Sequence, residues 1–204
     1  MTYAELQAFL TSFSNRSDLT TDLPVFVSMA EEEFQVLRVR QMVTRATASV
    51  DAEYAETPSN FLAERTATIG DDEVEYLTPE ALQVRQCGET GQPRFYTIDA
   101  GQMRFYPRPD QAYTVALTYY AKPPTFTESQ SNWLAEGFPN TYRHGVMLAA
   151  SLKTRDETAM ALYRGLLDRA LSDITARFKD KSGRPLRADP MLLQSGRRHL
   201  STIL

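Results

Sequence analysis

The spacing of apolar residues changes period twice along this chain, and that switch limits the available folds more than any motif does. Apolar residues recur every three or four positions up to about residue 41, alternate through much of 42–121, and return to helical spacing after Trp133. A period of 3.6 lines one stripe of a helix and a period of 2 lines one face of a strand, so the order predicted is helices, strands, helices. The first helix has a clear start: Thr2 and Glu5 have capping-box spacing, in which hydroxyl and carboxylate satisfy orphan backbone N–H groups. Leu6, Phe9, Leu10 and Phe13 follow at i, i+3, i+4, i+7, and Asn15-Arg16-Ser17-Asp18 ends the pattern. A second helix is expected from near Asp22, with Pro24 in its first turn and Phe26, Ala30, Phe34 and Leu37 as its stripe, fading near Arg40.

Strands are expected from Met42, where Ala46, Ala48 and Val50 alternate with Arg45, Thr47 and Ser49, and again over 61–69 and 73–77. Segments 94–98 and 102–106 flank Asp99-Ala100-Gly101, read as a three-residue hairpin loop with Gly101 at a left-handed position. Segment 112–121 alternates Tyr113, Val115, Leu117 and Tyr119 against Thr114, Ala116, Thr118 and Tyr120, and Pro123-Pro124 stops it. One more helix face carries Tyr142, Val146, Ala149 and Leu152; Asp156 caps a last helix with Met160, Tyr163, Leu167, Leu171, Ile174 and Phe178 as its stripe. The predicted class is therefore α+β, mainly helical. Two sequence-distant helix pairs (1–41 and 133–179) close a four-helix core, 42–122 forms a β-rich insertion, and 180–204 is an extended C-terminal arm. The expected core residues are Phe9, Phe13, Phe26, Phe34, Trp133, Tyr142, Tyr163, Leu167, Leu171 and Phe178.

Chemistry is hard to find. His144 and His199 are too isolated for a zinc site or a nucleophilic triad, and Cys87 is alone in a stretch with no basic neighbour to lower its pKa. No glycine-rich phosphate loop is present, and Asp71-Asp72-Glu73 with Glu75 lacks the ligand spacing of a calcium loop. No catalytic, cofactor-binding or metal-binding constellation is expected. No stretch approaches the roughly 18–20 apolar residues of a membrane helix and no secretory signal is visible, so the expected setting is the cytosol or something assembled there. Tyr96, Tyr106, Tyr113, Tyr119 and Tyr120 suit protein interfaces, or simply fill a small β core.

Charge is divided along the chain. Residues 1–100 hold 7 Lys/Arg against 17 Asp/Glu, a charge of −10, while 101–204 hold 15 against 9, a charge of +6. Unlike faces of neighbouring copies could pair, or both could be solvated. The last segment combines Lys181, Arg184, Arg187, Arg197 and Arg198 with Pro185 and the apolar residues Met191, Leu192, Leu193, Leu200, Ile203 and Leu204. A segment without helical period but with apolar anchors and a basic bias reads as a docking arm. One arm alone is weak, because ordering its backbone costs about 1–2 kcal/mol per residue; many arms presented together gain avidity.

Several short stretches resemble the head-to-tail adaptors of tailed bacteriophages, especially those of short-tailed phages. They are Thr2-Tyr3-Ala4-Glu5-Leu6, Asn15-Arg16-Ser17-Asp18-Leu19, residues 26–31, Leu37-Arg38-Val39-Arg40-Gln41-Met42, Pro58 with Phe61-Leu62 and Glu64-Arg65, and Tyr119-Tyr120 before Pro123-Pro124. The most telling are Asn132-Trp133-Leu134, then Pro139, Tyr142, Gly145 and Ala149-Ala150. The pattern is one residue short between Phe34 and Leu37, and nothing beyond Asp180 matches a specific motif. The resemblance implies a non-enzymatic structural protein of the virion neck, assembled in the host cytoplasm as a dodecameric homo-oligomeric ring. It also implies a C-terminal arm on the portal and an opposite end for tail, nozzle or fibre proteins, with DNA crossing the lumen unread and no membrane partner. By that analogy residues 180–204 meet the portal and the hairpin at Asp99, Ala100 and Gly101 faces the tail. Two other classes stay open: a nucleic-acid-binding regulator using Arg177, Lys179, Lys181, Arg184 and Arg187, and another phage ring such as a head-completion or tail-terminator protein.

Overall fold

The Thr2 hydroxyl accepts from the Glu5 N–H at 3.2 Å and the Thr2 N–H donates to the Glu5 carboxylate at 2.9 Å, so helix α1 (Tyr3–Ser14) starts where its capping box predicts. The computed structural model describes residues 1–85 and 88–178. After α1 come a 3₁₀ turn (Ser17–Asp22) and α2 (Leu23–Phe34), with Pro24 in the first turn. A second 3₁₀ turn (Arg40–Met42) leads into seven strands: β1 (Val43–Val50), β2 (Tyr54–Glu56), β3 (Phe61–Ile69), β4 (Asp72–Tyr76), β5 (Phe95–Asp99), β6 (Gln102–Tyr106) and β7 (Tyr113–Ala121). A short α3 (Pro79–Val84) separates β4 from β5, and the chain returns to helices with α4 (Trp133–Gly137), α5 (Pro139–Thr154) and α6 (Glu157–Phe178). The architecture is thus mixed, with helices before and after one seven-stranded sheet.

The sheet order is β1-β7-β3-β4-β5-β6-β2. β7 lies between β1 and β3, antiparallel to both, so it is buried on alternate residues: Val115, Leu117, Tyr119 and Ala121 point inward. The β4–β5 pair is parallel, and the crossover it requires carries α3, whose Leu82 is buried. Bulges interrupt β3 against β7 between Phe61 and Ala63 and between Glu64 and Thr66.

Two hydrophobic clusters result. One joins Leu6 and Leu10 of α1, Phe26, Ala30 and Phe34 of α2, Tyr142, Val146 and Ala149 of α5, and Leu167, Leu171 and Ile174 of α6. The other fills the sheet with Ala67, Val74, Tyr96, Phe105 and Leu117 among its members. Leu62 and Tyr120 pack against the helical cluster, so the sheet is seated on the helices at its β1-β7-β3 side.

Four details differ from the sequence reading. Phe13 is 65% exposed: the buried line of α1 runs through Leu6 and Leu10, and Phe13 stacks on Phe9 at 4.2 Å instead of entering the core. Helix α2 stops at Phe34, not near Arg40. Arg38 donates to the carbonyls of Gln35 and Leu37 there, while Leu37, Val39 and Met42 stay buried as irregular chain. Asp99 pairs with Gln102, so the hairpin loop has two residues, Ala100 (φ 48°) and Gly101 (φ 80°), both left-handed as a type I′ turn requires. Leu152, expected on the inner face of α5, is 44% exposed.

Candidate docking surfaces

Gly145 sets how the helices come together. A Cβ there would lie 2.6 Å from the Ala30 Cβ, so α2 and α5 approach closely only because position 145 carries no side chain. Helix α6 is tied to α2 by Arg164, whose two terminal nitrogens donate to the two Glu33 carboxylate oxygens at 2.9 Å each. That pairing holds the Glu33 carboxyl below the usual carboxylate range, chiefly through the hydrogen bonds. Lys153 pairs with Asp22 between the end of α5 and the start of α2.

A buried polar pin joins the sheet exit to this bundle. The Tyr142 hydroxyl donates to Glu31 Oε1 at 2.9 Å and accepts from Asn132 Nδ2 at 2.7 Å. Glu31 Oε1 also accepts from the Phe126 N–H at 2.7 Å, and Asn132 donates to the Pro124 carbonyl while its Oδ1 caps α4 through the Leu134 and Ala135 N–H groups. Burial pushes the Tyr142 phenol well above its ordinary pKa, so it stays a donor at all physiological pH. The segment after β7 is thereby fixed to α2 and α5.

The residues expected in the core fall at different depths. Phe26, Phe34, Tyr142, Leu167 and Leu171 are buried; Phe9, Trp133, Tyr163 and Phe178 are partly buried. Around the end of α6, Phe178 meets Phe138 edge-on at 5.5 Å, Phe138 meets Trp133 at 6.3 Å, and Arg177 lies over Phe138 and Phe178 at 5.7 and 5.6 Å. Arg40 also lies over Phe178, at 6.0 Å. Arg177, a candidate phosphate contact, is therefore engaged in packing. The arm residues Lys181, Arg184, Pro185, Arg187, Met191, Leu192, Leu193, Arg197, Arg198, Leu200, Ile203 and Leu204 lie outside the described residues, as do Cys87 and His199.

The hairpin at Asp99, Ala100 and Gly101 is exposed and braced from the side. The Thr57 hydroxyl and N–H donate to the Gly101 carbonyl at 2.8 and 3.2 Å, and Arg104 of β6 pairs with Glu53 at 2.7 Å. It belongs to the β5-β6-β2 side of the sheet, opposite β1. Of the tyrosines that suggested an interface, Tyr96, Tyr106 and Tyr119 are buried and Tyr113 and Tyr120 half-buried, so most of them fill the sheet. Burial raises the Tyr96 phenol to about 12.

Among the described residues, no group of three or more His, Cys, Asp or Glu side chains could hold a metal ion. His144 is half-buried on α5, its Nδ1 has no hydrogen-bond partner, and burial lowers its pKa from the usual value. What the fold offers is surfaces: a braced hairpin, an aromatic cluster where α6 ends, and an open groove between α2 and α5.

The family model described as SU10 adaptor protein matches residues 1–189, which includes every described helix and strand. The chain belongs to the SU10 adaptor protein family. A search of curated proteins gives no match. The family is one of structural phage adaptors and not a class of enzymes. In this adaptor the surfaces above, and not a catalytic pocket, are the places to look for function. Sequence reasoning did not single out the groove between α2 and α5. The available signal was Met29, off the core stripe of α2, together with the small residues Gly145 and Ala149.

Proposed function

We propose that the chain is a ring-forming head-to-tail adaptor of the phage neck, docked on the portal through residues 180–204 and carrying tail, nozzle or fibre proteins at its other end. The observation that carries this reading is the family match over residues 1–189. In this reading residues 1–41 and 133–179 act as one helical unit, 42–122 is the inserted β-rich module, and the ring is dodecameric, with DNA crossing its lumen without sequence-specific contact. Two features support it. The aromatic cluster of Trp133, Phe138 and Phe178 with Arg177 and Arg40 makes a firm root for whatever follows residue 178. The braced hairpin at Ala100-Gly101 presents a stiff tip on the opposite side of the sheet from β1.

The arm assignment has a direct test. Truncation after Asp180 is expected to leave the fold and its thermal transition unchanged while abolishing co-sedimentation with portal. Portal binding equal to that of the full chain would remove the arm from this account.

A further inference from the structure

Helix α5 has different neighbours on its two flanks. Arg143 points to α1, where its guanidinium lies 5.3 Å from the Phe9 ring centroid. Gly145 points to α2, where it meets Ala30. Two residues along a helix turn by about 200° at 3.6 residues per turn, so α1 and α2 lie on nearly opposite flanks of α5. Each flank carries an exposed apolar feature that no other described residue covers. On the α1 flank Phe13 is stacked on Phe9 and otherwise exposed. On the α2 flank a groove of about 250 Å³ is lined by Met29, Gly145, Leu148 and Leu152, with Met29 37% exposed.

We propose that Phe13 of one copy inserts into the α2–α5 groove of the next, making the head-to-tail contact that closes the ring. This rests on the ring reading given above and names the surfaces it uses. Three observations select a second copy as the occupant. A projecting ring and a recess on opposite flanks of one chain are what a heterologous contact requires, since each copy then gives one and receives one. The sizes agree: a cavity of about 150 Å³ already takes a benzene ring, and the groove is larger. The charges are also complementary: the groove rim carries exposed Glu32, whereas on the Phe13 flank Arg143 lies over Phe9, Arg16 being already paired with Asp18. Packing α2 directly on α5 through Gly145 and Ala30 leaves the groove shallow enough to reach from outside.

The test uses the full chain and two single variants. Phe13→Ser removes the projecting ring but keeps the groove; Leu152→Glu places a charge in the groove but keeps the ring. Both positions are exposed, so thermal midpoints should match the wild type. Oligomer size is measured by analytical ultracentrifugation, with and without portal. Each variant alone should need at least about tenfold higher concentration to assemble, the loss expected for one buried aromatic. An equimolar mixture of the two should form dimers and stop there, because only one intact contact can be made. If the wild type and both variants all form rings alike, the groove contact is wrong while the ring reading stands. A wild type that stays monomeric alone and on portal overturns both.

Discussion

Removing the hydroxyl of Tyr142 would deprive half-buried Glu31 of a donor and buried Asn132 of an acceptor. Tyr142→Phe is therefore expected to cost about 1–3 kcal/mol of stability, measured by urea unfolding. Loss of less than a few tenths would mean that the pin is not where the sheet exit is held. His144 gives a different kind of residue-scale prediction. Burial lowers its pKa below 6.5, so the folded state disfavours the imidazolium that the unfolded chain accepts. The sign follows: stability from neutral His144 is complete above the unfolded pKa and is lost as pH falls from there through the folded pKa. His144→Gln should flatten the fall in unfolding free energy between about pH 7 and pH 5 relative to wild type. Identical slopes in the two proteins would contradict that burial.

At the scale of elements, the β5–β6 hairpin is locally imperfect. Ala100 sits at φ 48° in a turn whose first position favours Asn or Asp. Ala100→Asn should raise stability by roughly 0.5–1 kcal/mol, seen as a higher thermal midpoint, because Asn tolerates the left-handed region that an alanine Cβ resists. The hairpin itself was legible in the sequence through Gly101 and the alternation on either side, but its loop length was not. One extra residue in the strand changes register without changing composition. Other misses have similar causes. β2 is three residues long, too short to carry a period. The parallel β4–β5 pair depends on where α3 places the returning chain, which no local signal encodes. Phe13 fits a helical stripe on paper, yet burial in α1 narrows to Leu6 and Leu10 because its neighbours α5 and the 3₁₀ turn cover only that line. The groove was missed for a different reason: Leu152 reads as part of the inner face of α5, and the close approach at Gly145 depends on how two sequence-distant helices meet. The order of helices, sheet and helices was readable from periodicity because it needs only local patterns.

At the scale of the whole molecule, the acidic first half and basic second half, the two unlike flanks of α5 and the family match support the arrangement proposed above, in which copies link flank to flank and residues 180–204 dock on the portal. Joints of the proposed sort would gain strength from repetition, since many weak arms held in register act as one strong ligand. The central claim is that this chain forms a second ring on the portal. Imaging purified portal particles by electron microscopy after mixing with the full chain tests it most directly. The account predicts a coaxial ring of this protein beneath the portal, with density running up from each subunit to the portal surface. Portal particles that remain bare at saturating protein, or that carry scattered single copies without a ring, would contradict it.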